Sequence, residues 1–223
     1  MSFESLYPFL YEDKTDLNAV LEQVRASTVA KASEIAELRT TIVQQDGVKL
    51  EECARDAAER FRDGGRLFAF GNGGSATDAQ QLATLFLNPG TGTPLPAFGL
   101  ANDTAIVTAL CNDIGVEVVF ARQLASFCTG PAGGKHDIAV GLSTSGNSGN
   151  LLRAFDEASR RGMLTIGLAG YDGGKMAELD SIDYLFVAPS SSVHRIQEAQ
   201  TTTYQVLWEL TQEEVSHVPR HTR

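Results

Sequence analysis

Five short apolar runs, separated by helical stretches, constrain the fold of this chain more than any other feature of the sequence. The runs consist mostly of apolar residues and glycine, and they lie at 66–71, 96–100, 137–142, 163–168 and 183–188. Strands of this composition are buried on both faces, which is typical of a parallel sheet between two layers of helices. The sequence therefore predicts an α/β fold, with ligands bound beyond the carboxyl ends of the strands.

Residues 15–64, which precede the first run, carry apolar side chains at helical spacing. The pair Asp46-Gly47 interrupts this spacing, so we expect two helices here, the second ending at Gly64-Gly65. A helical arm of this kind could cover the core of the following domain or build an oligomer interface. The sequence alone does not decide between these two roles.

The acidic composition narrows the range of partners. The formal net charge is −10, which disfavours direct nucleic-acid binding, because affinity for a phosphate backbone comes largely from Lys and Arg. A phosphorylated small molecule is still compatible, since a few backbone N–H groups can hold a phosphate locally. No stretch approaches the ~20 apolar residues of a membrane span. The N-terminus also lacks the pattern of a secretory signal, so we expect a cytoplasmic protein without a membrane partner.

The three cysteines, Cys53, Cys111 and Cys128, are widely spaced and form no C-x-x-C pair. This spacing indicates neither a zinc site nor a disulfide framework, and we expect free thiols.

A cluster of hydroxyl groups follows the third apolar run, where the sequence S-T-S-G-N-S occupies positions 143–148. The N-terminus of the next helix offers free backbone N–H groups and the positive end of the helix dipole. These groups, with the hydroxyls of Ser143, Ser145 and Ser148, could bind a phosphate dianion without Lys or Arg. The alternative is a polar turn with a capping serine, but capping uses one serine rather than several. We therefore predict an anion site here.

A second cluster, G-N-G-G-S at positions 71–75, lies between the first run and the next helix. Its glycines allow tight turning and close approach of a ligand, and the Asn72 amide can both donate to and accept from sugar hydroxyls. The alternative is a plain strand-to-helix turn with Ser75 as the helix N-cap. The residues alone leave both interpretations open, although they exclude the dinucleotide fingerprint and the P-loop.

A third cluster, R-I-Q-E at Arg195–Glu198, begins the last helical stretch and is preceded by His194. Gln197 and Glu198 could face the same crevice as the other clusters. On the residues alone a solvated helix start is favoured, since a carboxylate is stabilising near a helix N-terminus.

Taken in their order along the chain, these motifs resemble the sugar isomerase (SIS) family, and within it the phosphoheptose isomerases and the replication-initiator-associating proteins of bacteria. Further matching motifs are Asp78-Ala79-Gln80, Cys111-Asn112-Asp113 and Tyr171-Asp172-Gly173-Gly174. The resemblance implies the SIS fold, a three-layer sandwich around a five-stranded, flavodoxin-like parallel sheet. It also implies a homotetramer with sites shared between subunits. Residues 1–64 would then be the oligomerisation arm and residues 65–223 the phosphosugar-binding domain.

The resemblance also implies a site for a phosphorylated sugar. Its phosphate-binding residues would be Ser143, Thr144, Ser145 and Ser148. Its sugar-binding residues would be Asn72, Gly73, Gly74, Ser75, Asp113 and Gln197.

The positions that bind metal and transfer protons in phosphoheptose isomerases are changed. That family carries a His and, four residues later, a Glu after G-N-G-G-S, and another His eight residues after the Gln of R-I-Q-E. Here these positions hold Gln81, Leu85 and Gln205. Amides are poor zinc ligands and transfer no protons at neutral pH, and leucine does neither. We therefore expect no metal and no other cofactor.

The sequence thus predicts a phosphosugar-binding SIS protein that lacks the usual metal and acid/base residues. Such a protein could act as a ligand sensor with a further protein partner. The alternative is an active aldose–ketose isomerase with relocated catalytic groups, for which His194 and Glu198 are the titratable candidates.

Overall fold

The computed structural model describes residues 17–129 and 133–217. The helices are α1 (Leu17–Arg62), α2 (Gly74–Leu87), α3 (Thr104–Asp113), α4 (Val119–Phe127), α5 (Gly149–Arg160) and α6 (Val193–His217). The strands are β1 (Leu67–Gly71), β2 (Ala97–Gly99), β3 (Ile138–Leu142), β4 (Leu164–Gly170) and β5 (Tyr184–Ala188). Two short 3₁₀ helices span Val116–Val118 and Gly174–Glu178.

The strands form one parallel sheet in the order β2-β1-β3-β4-β5, which confirms the predicted fold class. Every residue of β1, β3 and β4 is buried, because helices cover both faces of these strands. From β1 the chain goes to β2 on one side and then returns to β3 on the other. The loops after β1 and β3 therefore flank the switch point at which parallel sheets bind ligands.

Each face of the sheet has its own apolar core. One core joins the strands to α1, α2 and α6, with Phe61 stacked on Phe86 at 5.7 Å between ring centroids. The other joins them to α4 and α5, where Phe70 lies between Phe120 and Phe155. The switch point therefore lies between two layers of packed helices.

The prediction of two helices before the sheet is wrong, since α1 is continuous through Asp46-Gly47. Asp46 pairs at 2.5 Å with Lys49, whose ammonium also donates to the Leu185 carbonyl at 2.6 Å. A glycine inside a helix costs only about 0.5–1 kcal/mol. Burial of the flanking residue Leu50 offsets that cost.

By packing, the chain divides into two compact units, and the division falls between Glu37 and Leu38. The second half of α1 belongs to the unit with the sheet, because Cys53 and Phe61 are part of its core. The role of the arm in oligomerisation stays a prediction.

Cys53 and Cys128 are buried free thiols, and Cys111 is a partly exposed one. In the described ranges, no helix is long and apolar enough to cross a membrane.

Candidate functional site

A reciprocal amide pair joins the loops after β1 and β3. Asn72 Nδ2 donates to Asn150 Oδ1, and Asn150 Nδ2 donates to Asn72 Oδ1, both at 2.9 Å. Gly71 and Leu142 are partners in the sheet register, so the two loops leave the sheet at the same level. The predicted sugar-binding and phosphate-binding loops therefore lie side by side. Asn150, which is buried in the first turn of α5, is a site residue that the sequence analysis missed.

The segment Ser143–Ser148, called the serine loop below, is shaped by its own hydroxyl groups. Ser143 Oγ accepts from the Gly146 N–H at 3.0 Å and lies 3.5 Å from Ser148 Oγ. Ser145 Oγ accepts from the Asn147 N–H at 3.3 Å. Ser148 occupies the N-cap position of α5 but makes no side-chain cap hydrogen bond. Capping therefore does not account for the hydroxyls of this loop.

The turn that follows β4 donates hydrogen bonds to the serine loop. The Met176 N–H donates to the Gly146 carbonyl at 3.0 Å, and the Lys175 N–H donates to Asn147 Oδ1 at 3.1 Å. Gly146 has a φ of +65°, and a Cβ there would overlap the Gly173 carbonyl. A Cβ at Gly174 in the turn would likewise overlap the Ser145 carbonyl, so both segments require a glycine where they meet.

Helix α6 contacts the G-N-G-G-S loop from the face of the sheet that it shares with α1 and α2. Gln197 Nε2 donates to Asp78 Oδ2 at 3.4 Å, and it lies so close to Gly74 that a Cβ there would overlap it. Gly73, not Ser75, is the N-cap of α2, so the interpretation of Ser75 as a cap is wrong. The predicted residues Asn72, Gly73, Gly74, Ser75 and Gln197 are thereby brought to one place.

Two polar residues on neighbouring helices add to this site. Gln200 Nε2 donates to the Ser143 carbonyl at 3.3 Å and so ties α6 to the serine loop. Asp78 is half-buried, and burial raises the pKa of its carboxyl, although the hydrogen bond from Gln197 acts in the opposite direction. The sequence analysis used Asp78 only as a motif marker, because a contact between residues 119 positions apart gives no local signal.

Three predicted residues are not brought into this arrangement. Asp113 ends α3, accepts from Asn112 Nδ2 at 2.9 Å, and lines a separate cavity of about 750 Å³. Glu198 pairs with the guanidinium of Arg195, and His194 is exposed in the first turn of α6. Within residues 17–129 and 133–217, no hydrogen bond joins the side chains of these three to the serine loop.

The positions expected to have lost a metal line a cavity between α2 and α6. Gln81, Leu85 and Gln205 all contribute to this space of about 510 Å³. In the described part of the chain, no three His, Cys, Asp or Glu side chains lie close enough together to hold a metal ion. Two neutral amides and an alkyl group do not fit zinc, which takes His, Cys or carboxylate ligands.

A carboxylate lies at the N-terminus of α5, beside the serine loop. A Cβ at Gly149 would overlap Glu117 Oε2, so this oxygen lies against the first residue of the helix. The positive end of the helix dipole stabilises a negative charge there. An anion bound by the serine loop would therefore share this helix terminus with Glu117.

The chain is similar to known proteins in both sequence and structure. Residues 32–170 match the family model of the SIS domain. The chain is 39% identical over 184 residues to the phosphoheptose isomerase of Aquifex aeolicus, an alignment covering 82% of this chain and 93% of that protein. It is 41% identical over 184 residues to the phosphoheptose isomerase of Desulfovibrio desulfuricans, an alignment covering 82% of this chain and 84% of that protein. The structure of the phosphoheptose isomerase from Neisseria gonorrhoeae superposes with a TM-score of 0.73 at 31% identity, covering 86% of this chain and 99% of that one.

Proposed function

The chain belongs to the SIS-domain family, and from this premise we propose that it binds a phosphorylated sugar without isomerising it. The observation that carries the proposal is the serine loop, with a Ser148 hydroxyl not used for capping, directly beside the G-N-G-G-S loop. The phosphate would lie against the serine loop and the N-terminus of α5. The sugar would extend towards Asn72 and Gln197, whose amides can donate and accept.

The residues around this site support binding rather than turnover. Aldose–ketose isomerisation moves a proton between adjacent carbons and so needs a general base and acid within reach. Gln81, Leu85 and Gln205 supply neither. The relatives are named phosphoheptose isomerases, and the resemblance implies that the acid/base pair of that family would lie at the positions of Leu85 and Gln205.

An active isomerase with relocated groups is the second candidate, and one observation favours it. Asp78 is a half-buried carboxylate with a raised pKa, hydrogen-bonded to Gln197 beside the G-N-G-G-S loop. Such perturbed groups are candidates for acid/base roles. Asp78 therefore joins His194 and Glu198 as a group that could act in this way.

Calorimetric titration with sedoheptulose 7-phosphate tests the binding site. Ser145→Ala and Ser148→Ala should each weaken affinity by about 1.5–3 kcal/mol, the usual range for a hydrogen bond to a charged group. Ser159→Ala, an exposed serine further along α5, is the matched control and should bind as the wild type does. Unchanged affinity in both loop variants would remove the serine loop from the site.

Turnover is tested with the same sugar. Incubation followed by NMR should give no ketose–aldose conversion above background, with or without added zinc, and elemental analysis should give well under one zinc per chain. Product that forms in the presence of a chelator would favour the second candidate. Asp78→Asn, His194→Ala and Glu198→Gln would then show which group transfers the proton.

A homotetramer is part of the same proposal. Apolar side chains on α1 are exposed in the single chain, including Val43 and Val48 at 59% and 71%. Burial of such side chains between subunits would be favourable. A cytoplasmic location and a protein partner that responds to the sugar stay proposals as well.

A further inference from the structure

Tyr171, directly after β4, has an unusual backbone conformation. It is the one non-glycine residue with a positive φ, +54°, among residues 17–129 and 133–217. The left-handed region is unfavourable for any residue with a Cβ, and a bulky side chain is rarely found there. Residues held in such conformations cluster at ligand-binding sites, where the strain serves a function.

The strain arises in a tight turn. The Gly173 N–H donates to the Gly170 carbonyl at 2.9 Å, which closes a four-residue turn with Tyr171 at its second position. Turns with a positive φ at this position are dominated by Gly, Asn and Asp. The chain therefore carries an aromatic residue where glycine would be less strained, although two of the next three residues are glycines.

The Tyr171 side chain does not offset this strain by hydrogen bonding or stacking. It is 41% exposed, and within the described residues it forms no hydrogen bond and no ring contact. The contacts of the fold thus give no reason for a tyrosine here. The ring is available to a molecule outside the chain.

Both ends of the turn lie against the serine loop. A Cβ at Gly170 would overlap the Thr144 carbonyl, and the Gly173 carbonyl lies against Gly146. Because adjacent Cα atoms are about 3.8 Å apart, the Tyr171 Cα lies within about 8 Å of the Thr144 carbonyl. A phosphate ester bound at the serine loop would therefore have its first carbon atoms within reach of the Tyr171 ring.

We propose that Tyr171 is a specificity-determining residue that makes this site favour a phosphate ester over free phosphate. The inference rests on the phosphosugar binding proposed above. The face of an aromatic ring packs against C–H groups, which an organic phosphate carries and inorganic phosphate lacks. The serine loop binds the group that both ligands share, and Tyr171 binds the carbon chain of the ester.

Calorimetry with sedoheptulose 7-phosphate and inorganic phosphate measures this preference as a ratio of two affinities. In Tyr171→Gly the ratio should fall about tenfold, the effect of losing roughly 55 Å² of apolar contact. Phe127→Ala is the matched control, because it removes a ring of similar exposure, 42%, that packs against Phe68. It should leave the ratio unchanged, whereas Ser145→Ala should weaken the binding of both probes.

Thermal melts test the strain separately. Tyr171→Ala removes the ring but keeps a Cβ, so it should lose the same preference as Tyr171→Gly. Only glycine relieves the strain, so Tyr171→Gly should melt about 2–4 °C above Tyr171→Ala. If it melts no higher, the position is not strained and the proposal is overturned.

The binding results separate this proposal from the proposed function. If both Tyr171 variants keep the ratio of the wild type while Ser145→Ala weakens both probes, the phosphate site stands and Tyr171 does not set its specificity. The same conclusion holds if the Tyr171 variants weaken both probes equally, because Tyr171 would then act through the serine loop. If the wild type binds neither probe, both proposals are wrong.

Discussion

Replacing Glu117 with glutamine is expected to strengthen phosphate binding at the serine loop. The Glu117 carboxylate lies against Gly149, the first residue of α5, where the proposed phosphate also binds. Two anions at one helix terminus repel each other, and the substitution removes one of them. Glutamine keeps an oxygen that can still accept a hydrogen bond, so the loop need not rearrange.

The size of the effect follows from Coulomb's law. A dianion roughly 8 Å from a carboxylate is repelled by about 1 kcal/mol at the dielectric constant of water. This corresponds to about fivefold in affinity. Since the Debye length is also about 8 Å at physiological ionic strength, the gain should be largest at low salt and close to zero at about 1 M salt.

The assay is calorimetric titration with inorganic phosphate at low and at high salt. Glu59→Gln, an exposed residue on α1, changes the net charge equally and is the matched control. It should leave the affinity unchanged at both salt concentrations. If Glu117→Gln binds phosphate no more tightly than the wild type at low salt, Glu117 does not compete for the helix terminus, and the placement of the phosphate there is refuted.

Three further predictions follow from the same structure. Burial and the neighbouring Asp137 raise the pKa of Cys128 to about 11, so about one Cys128 thiol in 1,000 is ionised at pH 8. Iodoacetamide should therefore label Cys111 first, and labelling of Cys128 in the native protein would contradict this prediction. Burial raises the pKa of Asp78, so the wild type loses stability as pH rises through that raised value. In thermal melts, Asp78→Asn should be more stable than the wild type at pH 7. This difference in stability should disappear below the ordinary carboxyl pKa near 3.8, and a difference that does not depend on pH would refute the prediction. Light scattering should give a tetramer, and a stable monomer at micromolar concentration would exclude it.

The sheet could be predicted because its strands carry their own signal. β1, β3 and β4 are buried on both faces, and this requires the continuous apolar runs that the sequence shows. Helix α4 was missed for the opposite reason. Gln123 lies on its buried face, where it donates to the carbonyls of Leu100 and Val119. A polar residue at a buried position interrupts the apolar periodicity from which a short helix would be identified.

The site was predictable only where its chemistry is concentrated in a few consecutive residues. The serine loop places its hydroxyls within six positions, so it could be identified without a structure. Asn150, Asp78 and Glu117 could not, because each acquires its role from a distant partner. The Asn72–Asn150 pair spans 78 positions and the Asp78–Gln197 pair spans 119. Pattern reading detects local periodicity, whereas these contacts exist only after the sheet has formed.

The described site combines several features that are unfavourable for stability alone. Gly73 and Gly146 adopt positive φ, which costs backbone entropy on folding, and α6 leaves buried polar atoms without partners. Such departures from the rules of stable folding are expected where a protein binds a ligand. The polar groups that line the cavity between α2 and α6 donate and accept hydrogen bonds, but none of them ionises near neutral pH. They can therefore bind uncharged polar groups, but they cannot act as general acids or bases there.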